Sequence, residues 1–88
     1  MTYDKFIAEL ANEGFQEVVT VKREADGFLD IHAHPFEAKA LVLAGELRIR
    51  NADAEQLYRV GDIFHLPAHS PHAEHYGPEG VTYLVGRK

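Results

Sequence analysis

Cysteine is absent from these 88 residues. Disulfides and thiolate metal ligands are therefore excluded outright. Clustered positive charge is missing too: nine Lys and Arg stand against 14 Asp and Glu, for a formal net charge of −5. A phosphate backbone is recognised by grouped cations, so nucleic acid is not an expected partner. No stretch approaches the roughly 20 apolar residues of a membrane-spanning helix. The first ten residues carry Asp4 and Glu9, where a signal peptide would be apolar. The expectations are no membrane association and a cytoplasmic location. No glycine-rich phosphate cradle is present, and Ser70 lacks the elbow and oxyanion loop of a nucleophile.

What remains is an ordinary globular chain. An apolar share of 45% argues against disorder. A chain this short is one domain and buries roughly 60–65% of its unfolded surface, which leaves a thin core. With disulfides excluded, a metal or a partner subunit is the remaining support, and a homodimer is expected.

Tyr3, Phe6, Ile7 and Leu10 share one helical face. Thr2 suits the cap, Asp4 the positive end of the dipole and Gly14 the stop, which predicts a helix over residues 3–13. After Gly14 come short runs of Val, Ile, Leu and aromatics divided by turn residues. Eight strands are predicted, at 15–23, 28–34, 38–44, 46–50, 55–59, 63–66, 72–76 and 81–85. Leu47 and Ile49 alternate with Glu46, Arg48 and Arg50. The pattern predicts an all-β sandwich or barrel over residues 15–88, with residues 1–14 a helix packed on it.

Six histidines are many for this length. His32 and His34, two apart on a predicted strand, leave the same face and bring two imidazoles together as a metal requires. Two half-exposed histidines at a strand end would give the same pattern, and the pair alone does not decide between these readings.

The wider context adds to it. HAHPFEAKALVLAGE is followed, after a strand pair, by GDIFHLPAHSPH. Here the sequence resembles the cupin superfamily. Gly27, His32, His34 and Gly45 match that family's first motif, with one residue fewer than usual between Gly27 and His32. Gly61, Pro67 and His72 match the second with the usual separations. The resemblance covers residues 15–88 and implies an antiparallel β-barrel, a double-stranded β-helix or jelly roll, with a central pocket. It also implies that His32, His34 and His72 converge there on one divalent metal.

Two departures from the motifs matter. Ala38 stands where the family's glutamate ligand would be, with Glu37 one place earlier. A one-residue slip on a strand turns a side chain to the opposite face. Glu37 thus reaches the metal only if Pro35 and Phe36 bend the chain. Glu74, on the face of His72, is the other candidate for a fourth ligand or an acid–base group. His69 stands at a motif glycine, and Tyr76 at a motif asparagine. His65, His69 and His75 are read as structural or surface residues.

Three neutral imidazoles without a carboxylate leave the full double charge of the ion uncompensated, which favours an anionic guest. All-imidazole ligation suits Zn, Fe, Ni or Cu. Ala38 and Ala40 leave room for that guest, Phe36 and Tyr76 can wall it, and Phe64 is read as core. The expected function is binding of a small oxygenated anion at a metal, with dioxygenase or isomerase chemistry. The alternative is a non-catalytic binding, sensor or structural cupin.

Overall fold

A computed structural model describes residues 2–88 of the chain. Helix α1 (Tyr3–Asn12) precedes six strands: β1 (Glu17–Arg23), β2 (Phe28–His32), β3 (Ala38–Arg50), β4 (Glu55–Arg59), β5 (Ile63–Leu66) and β6 (His72–Arg87). The pairings are antiparallel. The long strands β3 and β6 pair with each other and form the spine of an all-β barrel. At one end of that spine β1 lies beside β6 and β5 beside β3; at the other end β2 and β4 take those places.

Six strands replace the eight expected because 38–44 and 46–50 are one strand, as are 72–76 and 81–85. The alternation changes phase inside each. In β3 the buried inward positions are Ala38, Ala40 and Val42, then Leu47 and Ile49; in β6 they are His72, Glu74 and Tyr76, then Val81, Tyr83 and Val85. Register shifts between Val42 and Ala44 and between Gly45 and Leu47 absorb the change in β3. Gly45 (φ 71°) pairs with Val81 at the bend, next to Gly80 (φ 74°). A Cβ on Gly45 would lie 2.0 Å from the Gly80 carbonyl oxygen, so only glycine fits. Gly45 and the Gly77-Pro78 pair, which read as turn signals, lie within continuous strands.

α1 ends at Asn12, one residue before the expected boundary, with Gly14 at φ 86° just beyond. The Thr2 hydroxyl caps it, accepting from the Lys5 N–H at 3.2 Å. Phe6 and Leu10 are fully buried against Phe15, Leu41 and Leu84. Leu41 and Leu84 are register partners on the outer face of β3 and β6, one residue out of phase with inward Ala40 and Val85. Gly86 continues that outer face, and a Cβ there would approach Leu10 Cδ2 to 2.9 Å. The helix therefore sits where glycine leaves space. Among the described residues no helix is long and apolar enough to cross a membrane.

Candidate metal centre

β2 ends at His32 rather than at residue 34, and Pro35, with no N–H to donate, keeps His34 out of helical backbone. His32 faces His72 in register across β2 and β6. His34, just past the strand, still lies beside them: its ring centroid is 4.9 Å from that of His32 and 5.5 Å from that of His72. Glu74, two residues beyond His72 on the same inward face, completes the group. One ligand atom from each of His32, His34, His72 and Glu74 lies within 4.8 Å of all the others.

The tautomers follow from the backbone. His32 Nδ1 lies 2.7 Å from the Asp30 carbonyl oxygen, and His72 Nδ1 lies 3.0 Å from that of Ser70. A carbonyl only accepts, so both Nδ1 atoms carry the hydrogen and both neutral rings present an Nε2 lone pair. These lone pairs converge on one oxygen: Glu74 Oε2 is 3.3 Å from His32 Nε2 and 3.2 Å from His72 Nε2. Three electron-rich atoms then face one another where burial denies them water. His72 and Glu74 are 2% and 6% exposed, and buried His32 Nε2 has no hydrogen-bond partner among the described residues. A proton satisfies only one nitrogen. A divalent ion satisfies both nitrogens and the carboxylate at once.

The spacing fits an ion as well. Ligands bound at about 2.1 Å stand roughly 3.0–3.4 Å apart at adjacent octahedral or tetrahedral positions. A backbone carbonyl holding the far nitrogen of each histidine is also the usual outer support of a metal ligand. Tyr76 adds to it, its hydroxyl donating to Glu74 Oε1 at 3.3 Å. The donor set fits a metal.

Comparison with known proteins bears on the fold. No protein-family model matches the chain, and none of the curated proteins matches it. Solved structures do. A protein of unknown function from Rhizobium leguminosarum bv. viciae superposes with a TM-score of 0.76 at 14% identity, over 80% of this chain and 66% of its own. Oxalate decarboxylase of Bacillus subtilis, a protein with Mn(II) centres, gives 0.73 at 20% identity over 81% of this chain and 20% of its own. An RmlC-like cupin from Shewanella frigidimarina gives 0.67 at 20% identity over 80% of this chain and 63% of its own.

The chain has the cupin fold. It spans about two thirds or less of the length of these three proteins.

Within this cupin barrel the candidate residues part company. Glu37 stays outside the cluster. Its backbone pairs with Lys88 just before Ala38 pairs with Arg87, so Ala38 turns inward and Glu37 outward. There it bonds His65, with Lys88 nearby, and these partners hold its carboxyl below the usual range. Pro35 and Phe36 make no bend that returns it. Glu74, the other candidate, lies within the cluster, so the group that could hold a metal contains a carboxylate beside its three imidazoles.

A cavity of about 50 Å³ adjoins the cluster, with His34, Phe36, Ala38 and Glu74 in its wall. Ala40 is fully buried core and not part of this wall. Tyr76 points to Glu74 from the other side and is also outside it. Phe64, expected as core, is both core and wall. Sequence reasoning missed Arg23, Tyr83 and Arg87, which line the cavity too. Strand parity carried the signal: Arg23 follows Val19 and Val21 on β1, and Arg87 follows Tyr83 and Val85 on β6.

Electrostatics separate the groups further. Burial, then the neighbouring His32 and His72, lowers the His34 pKa below its ordinary 6.5. Burial and the Glu74 carboxylate raise both Tyr76 and Tyr83, which stay protonated at neutral pH. His65 and His75 are exposed. His69 has φ 62°, the left-handed backbone that suits the motif glycine it replaces, and its N–H bonds the His34 carbonyl at 2.7 Å.

Proposed function

We propose that this chain is a metal-binding cupin that takes a small oxygenated anion beside a centre of His32, His34, His72 and Glu74. The observation that carries the reading is the convergence of two Nε2 lone pairs on one buried carboxylate oxygen. With one carboxylate in the set, Mn joins Zn, Fe, Ni and Cu as an acceptable ion. When bound, the ion supplies Lewis-acid polarisation of the guest's oxygens. The chain's own residues do the rest: Asp30 and Ser70 carbonyls fix the histidine tautomers, Tyr76 orients Glu74, and apolar side chains keep bulk water out. A cavity needs on the order of 10–15 Å³ to hold one water. One of about 50 Å³ therefore takes a guest of only a few heavy atoms.

Of the two reaction classes, isomerisation needs a free general base beside the guest. Glu37 lies outside, Glu74 is engaged by the histidines, and Tyr76 holds its proton. Dioxygenation asks no such base of the protein and is the better fit. The same lack of a free base favours, as a second reading, a binder or sensor without catalysis. The homodimer expected from the thin core would find its apolar surface on β2, where Phe28 and Ile31 are exposed.

The test is thermal unfolding of chelated protein with and without added Zn, Ni or Mn at pH 7.5. An ion at about 100 times its dissociation constant stabilises by about 2.7 kcal/mol, provided it ignores the unfolded chain. For a domain this size that is a rise of roughly 10–20 °C. His72→Ala should abolish the rise and His69→Ala preserve it. Identical wild-type curves with and without every ion would remove the metal reading.

A further inference from the structure

The wall of the barrel cavity carries more positive charge than the metal reading uses. Arg23 and Arg87 occupy inward positions at opposite ends of the β1–β6 ladder, where Val19, Val21, Tyr83 and Val85 fill the rows between them. Both arginines nevertheless line the same cavity of about 50 Å³. The one carboxylate in that wall, Glu74, is taken up by the histidines. Arg87 gives one N–H to Glu17 Oε1 at 3.1 Å and keeps its other donors. Its guanidinium lies 5.1 Å above the Phe36 ring, and Phe36 stacks on His34 at 4.8 Å and 19°. Guanidinium and imidazole thus both pack on the Phe36 ring beside the candidate metal centre. A planar guanidinium held against an aromatic face is preorganised for two-point recognition of a carboxylate.

We propose that the cavity is a carboxylate site, in which Arg23 and Arg87 attract the carboxylate of a small organic acid whose other end faces the histidine cluster. Phe36, Phe64, Leu66 and Val85 give the wall an apolar surface that suits the acid's carbon atoms and has nothing to offer an inorganic oxyanion. The inner end of this placement rests on the metal reading above; the arginine end does not.

The experiment is a set of NMR titrations of the 88-residue chain, each on chelated and on zinc-loaded protein. The probes are propionate and propionamide, which have the same number of heavy atoms, with inorganic phosphate added on chelated protein alone. Zinc affinity is measured separately by calorimetry. Propionate is expected to shift amides around Phe36, Arg23 and Arg87, with propionamide and phosphate at least about tenfold weaker, as a charge-assisted pair requires. Arg23→Gln and Arg87→Gln should each weaken propionate about tenfold while leaving zinc affinity within about twofold. Should Arg87→Gln lose stability with its Glu17 and Phe36 contacts, exposed Arg23 carries the test alone. Propionamide or phosphate binding as tightly as propionate overturns the proposal, as does unchanged propionate binding in a folded variant. Arginine-dependent propionate binding in a protein that takes no zinc would keep this site and remove the metal reading. Zinc binding without any propionate shift would do the reverse.

Discussion

Two regions of β3 and β6 are equally buried and chemically opposite. Beneath α1, the outer faces of the strands meet Phe6 and Leu10, both fully buried, through Leu41 and Leu84. At the histidine end, the inner faces bury His72 and Glu74 at 2% and 6% exposure. The first region needs only shape, because apolar atoms lose nothing by leaving water. The second gathers lone pairs and a carboxylate, whose burial is costly without a cation. Burial alone therefore says little; the residue types decide whether a region is finished by packing or needs a partner.

The largest expected effect breaks the apolar region and leaves the polar one alone. Phe6→Ala should cost about 3–5 kcal/mol in urea denaturation. That is a large share of the total stability of a chain of 88 residues held together by roughly 0.05–0.15 kcal/mol for each of them. The loss should be the same with and without zinc. Unequal losses would mean that the two regions are coupled.

Next is an exchange within the polar region. Ala38 is inward, 5% exposed and part of the cavity wall, so Ala38→Glu alone overfills the space and sets a second carboxylate near Glu74. It should destabilise the chelated protein by about 1–3 kcal/mol. Combined with Glu74→Gln, the same change should restore much of the zinc affinity that Glu74→Gln alone removes. Calorimetric titration of the three variants measures this. A double variant no better than Glu74→Gln would show that position 38 cannot supply a ligand.

A smaller effect separates the regions by pH. The His34 pKa lies below its ordinary 6.5 in the folded protein, so the unfolded chain takes up the proton first as pH falls. The stabilisation from neutral His34 is fully present above pH 6.5 and is lost as pH drops through the depressed folded value. Denaturation of chelated protein between pH 8 and 5 should show this decline, and His34→Gln should flatten it. Phe6→Ala should keep the wild-type slope.

The smallest effect is a gain. His69 holds a left-handed backbone at φ 62°, which costs a side chain about 1 kcal/mol. His69→Gly should raise stability by up to that amount, partly offset by unfolded-chain entropy. A fall in the urea midpoint would instead reveal a partner for the imidazole.

Much of this was legible along the chain. The helix could be read because its apolar face and cap are local. His32, His34 and His72 could be read because the resemblance to the cupin motifs preserves their spacing. The outward turn of Glu37 followed from parity with Ala38, and the shared face of His72 and Glu74 from parity on one strand. The count of strands could not be read. A glycine that bends a strand and one that ends it look alike until the facing strand, with the Gly80 carbonyl against Gly45, is in place.

The sequence by itself determined which side chains share a strand face and that no thiolate takes part. Only the tertiary structure decided that no bend at Pro35 and Phe36 returns Glu37 to the histidines and that Arg23 and Arg87 reach one cavity. The physical reason is that parity sets the side of a sheet on which a side chain lies. The contacts made on that side depend on how distant strands are brought into register across the barrel.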